Sequence, residues 1–136
     1  MTPKMGDSLS EFLTDLDVTL IDDSANEGRG AWRVDKPFSY QSEVAHRMIT
    51  VPAGFVTDFA SVPRLPFMFW LTGDTSHEAA VIHDYLYRTG ILPRDISDKV
   101  LLEASAVSGV PGWRRSLMYW GVRLGGTSSY KGKKNV

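Results

Sequence analysis

A chain of 136 residues, 43% hydrophobic and 23% charged, has the make-up of an ordinary globular protein with room for one modest core. A net charge of -1 excludes the global attraction by which basic proteins gather nucleic acid or anionic membrane. The absence of cysteine excludes disulfides, thiolate metal centres, iron–sulfur ligation and a cysteine nucleophile. The N-terminus has no apolar signal-peptide core, and the longest apolar run, Pro66 to Leu71, falls far short of the ~18 residues of a membrane span. The expectation is a single domain over 1–136, with extended tails at 1–15 and 127–136, made in the cytoplasm.

In chain order, Asp17 to Ile21 is rich in β-branched residues and reads as a strand. Asp22 to Gly30 is a loop by composition. Ala31 to Val34 alternates as a second strand, Pro37 interrupts it, and Phe38 to Tyr40 continues with one apolar face. His46 to Val51 is a third strand, with Met48 and Thr50 on one side and Ile49 and Val51 on the other. Pro52-Ala53-Gly54 is a turn, so the first half is expected to be a small antiparallel meander. Phe55 to Pro63 begins like a strand and ends at a proline, which prevents a smooth passage into a helix.

The second half has helical spacing throughout. Thr75 and Glu78 stand in the S/T-x-x-E arrangement of a capping box, and Ala79, Ile82 and Leu86 then form an apolar stripe that includes His83. Gly90 stops this helix. A second helix is expected from Asp95 to Ser108, buried along Val100, Leu101, Ala104 and Val107. A third begins near Pro111, where Trp113, Leu117, Trp120, Gly121 and Leu124 recur as one apolar stripe. The fold class is therefore α+β, an N-terminal antiparallel meander packed on a C-terminal three-helix unit.

The residues that could carry chemistry are Asp58, Ser61, His83, Asp84, Asp98 and Arg123. Asp58 and Ser61 sit in an irregular, proline-bounded segment, where functional groups often stand on a rigid scaffold. Three packed helices could bring the others to the same place. On one reading Asp58, His83 and Asp84 hold a divalent metal through oxygen and nitrogen. A variant of it makes His83 a general base oriented by a carboxylate, with Ser61 a weak nucleophile. On the competing reading the cluster is a buried network, in which His83 bonds a carbonyl or Asp98 and Arg123 pairs with Asp84 or Asp98.

Other signals are thinner. His77 and Asp84 share a helix face, but two turns hold them ~10 Å apart. His83-Asp84 matches the start of an HD phosphohydrolase pattern, for which this chain offers only His46 and His77 as further histidines. Phe67, Phe69 and Trp70 could be an exposed patch or core, and Lys131, Lys133 and Lys134 fit a solvated tail. The chain has no glycine-rich phosphate loop, no GxSxG and no HExxH.

Four segments, taken together, resemble small uncharacterised proteins of tailed bacteriophages and prophages, with the pattern VPxGFxTDxASxPR, then HDYLY, then a helix with an early Asp, then MYxxVRxGG. They stand here as Val51 to Arg64, His83 to Tyr87, Asp98, and Met118 to Gly126, and the likeness spans residues 16–126. Ser97 stands where such proteins usually have Ala, and Leu102 where they often have an aromatic residue. The resemblance implies a phage or prophage origin and supplies no activity. It leads to the expectation of a virion-associated or assembly protein carrying a buried Asp/His/Arg cluster, made in the host cytoplasm and carried into the particle. Its expected partners are other phage structural proteins, with no direct nucleic-acid signal. The alternative is a small metal-assisted hydrolase acting on the cell envelope during infection or lysis, with His83 as base or ligand and Arg123 stabilising anionic charge.

Overall fold

The computed structural model describes residues 10–24, 30–57 and 77–125. Among these residues six strands come first: β1 (Glu11–Phe12), β2 (Val18–Asp22), β3 (Ala31–Val34), β4 (Phe38–Ser42), β5 (Arg47–Val51) and β6 (Val56–Thr57). Among the described residues three helices come after them: α1 (His77–Thr89), α2 (Arg94–Val107) and α3 (Gly112–Gly125). The architecture is α+β, with every strand pair antiparallel.

The strands do not form one meander. They divide into two three-stranded sheets, ordered β1-β4-β5 and β2-β3-β6. The break falls at Asp35-Lys36-Pro37, where Pro37, without an N–H to give, separates β3 from β4. β3 turns outward to pair with β2 and β6, while β4 pairs with β5 in register from Phe38↔Val51 to Ser42↔Arg47. β1 lies within the segment that composition reads as a tail. It pairs with β4, and the Phe12 ring stacks on Phe38 with centroids 5.6 Å apart.

Alternation decides which sheet builds the core. In β4 Phe38, Tyr40 and Ser42 point inward, and in β5 Ile49 and Val51 do so while Met48 is exposed. These residues pack on Ile82 and Leu86 of α1 and on Val100, Leu101 and Ala104 of α2. β2 is largely exposed. α1 is buried on nearly all sides, from Ala79 through Tyr87, and Gly90 closes it at φ 64° with its N–H on the Leu86 carbonyl at 2.9 Å. Thr75, the expected cap, lies outside the described residues.

Two helix faces differ from expectation. On α2 Val107 is exposed, while Ser97, Asp98 and Ser105 are buried. On α3 the packing residues are Met118 and Val122, and the stripe of Trp113, Trp120 and Leu124 faces solvent. The rotation of α3 is set by polar anchors near its end. Arg94 reaches its last carbonyls, and Arg123 must turn toward Asp98. No helix among the described residues is long and apolar enough to cross a membrane.

Candidate functional site

The site is built where α1, α2 and α3 meet. On α1, His83 and Tyr87 are one turn apart and so share a face. Asp98 stands on the second turn of α2, and Arg123 on the last turn of α3. Asp98 is fully buried and accepts from all three neighbours. His83 Nε2 lies 2.8 Å from Asp98 Oδ1, and the Tyr87 hydroxyl donates to the same oxygen at 2.5 Å. Arg123 donates to Oδ2 at 2.8 Å. Facing an ionised carboxylate, His83 Nε2 carries the hydrogen and donates it.

Arg94 forms an outer layer. Its Nε donates to the Tyr87 hydroxyl at 3.2 Å, and its Nη2 donates to the carbonyls of Val122 and Arg123, each at 2.8 Å. The last turn of a helix leaves carbonyls without an internal partner and carries a partial negative charge, so a buried guanidinium there meets both needs. Arg94 thus ties the start of α2 to the end of α3 on the flank of the Asp98 cluster.

The electrostatics result from this packing. Burial alone would push the Asp98 carboxyl up. Hydrogen bonds from His83 and Tyr87, with Arg123 behind them, outweigh it and hold the group below the ordinary carboxylate value. Burial and then the bond to Asp98 push the Tyr87 phenol well up, so it remains a neutral donor.

Asp84 belongs to a separate node. It accepts from Thr57 Oγ1 at 2.7 Å and pairs with Arg88 Nε at 3.2 Å. Arg88 in turn donates to the Val56 carbonyl at 2.7 Å. Neighbours in sequence, His83 looks toward α2 and α3 while Asp84 looks toward β6. Of the six candidate residues, His83, Asp98 and Arg123 come together and Asp84 stands beside them. Asp58 and Ser61 lie outside the described residues, although Thr57 fixes the chain next to α1 just before Asp58. Among the described residues no group of three or more His, Asp or Glu side chains could hold a metal ion.

Sequence reasoning gives Tyr87 no role beyond packing and does not single out Arg94, Thr57 or Arg88. The i, i+4 spacing of His83 and Tyr87 is the available signal for the first; the others show only when the helices are placed. A third polar node is equally hidden in the sequence. Glu103 of α2 accepts from the Tyr40 hydroxyl and Ser42 Oγ, each at 2.8 Å, and from the Val44 N–H at 2.9 Å.

In chemical terms the arrangement offers an imidazole whose Nε2 is held by a buried carboxylate that accepts from three side chains. The comparisons with known proteins give a family and no activity. A family model described as "Protein of unknown function (DUF1353)" matches residues 32–122. No curated protein and no solved structure matches the chain.

Proposed function

The chain belongs to the DUF1353 family of proteins of unknown function, and on that premise we propose that it is a non-enzymatic component of a phage particle or of its assembly. The observation that carries this reading is the state of Asp98. It is fully buried, with Oδ1 taken by His83 and Tyr87 and Oδ2 by Arg123. A carboxylate stabilised in its charged form by three donors is a weak base. His83 is 2% exposed and its Nε2 is engaged. The cluster fixes three helices against one another, which is what a docking part requires of its interior. The likeness of four segments to tailed-phage proteins supports the particle as the setting.

The test is to purify particles from a lysogen encoding the chain on a density gradient and to probe them for it, while assaying the purified protein for peptidoglycan hydrolysis with and without divalent metal. The chain is expected in the particle band, with no hydrolysis. Its absence from particles, together with hydrolysis that disappears in a folded His83→Ala variant, would replace the assembly reading with the envelope hydrolase.

A further inference from the structure

The three most exposed of the large apolar side chains among the described residues stand on one helix. Trp113, Trp120 and Leu124 are 54%, 59% and 84% exposed and lie at i, i+7 and i+11 on α3. At 100° per residue they fall within about 20° of one line, a ridge ~16 Å long. Leu117, partly buried, lies beside it. The ridge faces away from Met118 and Val122, which pack α3 on the core. Isolated exposed apolar residues require no account, but an aligned row of them marks a contact surface.

Charge in this part of the chain has one sign. After Glu103 the sequence carries Arg114, Arg115, Arg123, Lys131, Lys133 and Lys134, and no acid. Two of these do not serve the ridge. Arg123 is paired with Asp98, and Arg115 lies on the far side of α3 with its Nη1 on the Val110 carbonyl at 3.0 Å. Arg114 stands beside the ridge, its guanidinium over the Trp113 ring at 5.3 Å from the centroid. The three lysines follow within ten residues of Leu124, the last residue of the ridge.

We propose that the Trp113–Trp120–Leu124 ridge of α3 docks on an anionic lipid bilayer, with the lysines at 131, 133 and 134 supplying attraction to the headgroups. A short apolar ridge and a basic segment next to it are each weak, and two such signals together hold a protein reversibly on a membrane. Tryptophan suits the boundary, since its ring is apolar and its indole N–H stays in contact with water. Area and chemistry select lipid over other occupants. A whole aromatic side chain presents ~150–250 Å², so three partly exposed side chains offer ~400 Å², about half of the ~800 Å² per partner in a stable protein interface. A bilayer requires no matching surface. Single-stranded nucleic acid stacks its bases on aromatic rings, but Arg114 lies over one face of Trp113, and Leu124, the most exposed of the three, has no ring. The inference is independent of the assembly reading, since it concerns the outer face of α3 and not the Asp98 cluster.

The test uses the full chain, the ridge variants Trp120→Glu and Leu124→Glu, and a third variant that combines Lys131→Gln, Lys133→Gln and Lys134→Gln. Circular dichroism checks that each is folded, and two ridge variants keep the test open if one is not. Binding is read by flotation with vesicles of phosphatidylcholine alone and of an equimolar mixture with phosphatidylglycerol. The wild type is expected to float with the mixed vesicles and to leave them as salt screens the charges. It should bind the neutral vesicles roughly tenfold or more weakly, and the lysine variant should bind the mixed ones with a similar loss. Each ridge variant should also lose about tenfold or more on the mixed vesicles. A wild type that does not float overturns the proposal, and so does flotation unchanged in the folded ridge variants. Without flotation, a mass that grows with concentration and falls back in Trp120→Glu would assign the ridge to a second copy, and capture of a single-stranded oligonucleotide would assign it to nucleic acid. A chain absent from particles sinks the assembly reading alone, and a chain found in particles that ignores vesicles sinks this inference alone.

Discussion

Asp98 accepts from three side chains of the site, and its removal should be felt accordingly. Asp98→Ala leaves the Arg123 guanidinium, the His83 ring and the Tyr87 hydroxyl without their shared acceptor. Breaking a buried ion pair costs ~3–5 kcal/mol, and the expected loss is near the lower end because the Arg123 side chain keeps 27% exposure and can rehydrate. Urea unfolding of the two proteins checks this, and a loss below ~1 kcal/mol would contradict the clamp. Acid gives a second reading of the same residue. The folded Asp98 carboxyl sits below its ordinary value, so its stabilisation is present above the unfolded value of ~4 and is lost as pH falls through the folded one. The stability gap between wild type and Asp98→Asn should therefore narrow on acidification over that window, and a gap that widens would reverse the sign. His83→Ala removes one donor and opens space, with an expected cost of ~1–3 kcal/mol.

Between elements, Glu103 joins α2 to the hairpin of β4 and β5 through Tyr40, Ser42 and the Val44 N–H. Burial, then the bond to Glu103, pushes the Tyr40 phenol well up, so this link remains donor to acceptor. Glu103→Ala should destabilise by ~2 kcal/mol and expose the Val44 amide to exchange, whereas Tyr40→Phe should cost ~1 kcal/mol and leave that amide protected. Periodicity in the sequence locates the helices, including the stop at Gly90, and it places Ile49 and Val51 opposite Met48 and Thr50. It does not tell inside from outside on α3. A stripe states that a helix has two faces, and here the inward one is chosen by the Arg94 bonds to carbonyls and by the reach of Arg123 to Asp98. Glu103 is illegible for a related reason. Among Leu101, Leu102 and Ala104 it reads as a solvated residue until a tyrosine and a serine arrive from 63 and 61 positions away. The split into two sheets turns on Pro37, which in the sequence marks an interruption and does not announce a change of partner.

Across the molecule, burial is uneven. β4, β5, α1 and α2 share the apolar core, while β2 contributes little to it. Amide exchange should mirror this, slowest at Ile49, Ile82 and Leu86 and fastest, among strand residues, at Thr19 and Leu20. Uniform protection across both sheets would show that they open as one unit. The placement of Arg123 has a further consequence for how the protein is born. Synthesis runs from the N-terminus at ~5–20 residues per second, so the 25 residues from Asp98 to Arg123 take ~1–5 s to add. Until Arg123 has been made and has left the ribosome, the carboxylate between α1 and α2 lacks its cation. Closing the helix pair then would strand a charge in the interior, which holds the nascent chain open until the last helix arrives.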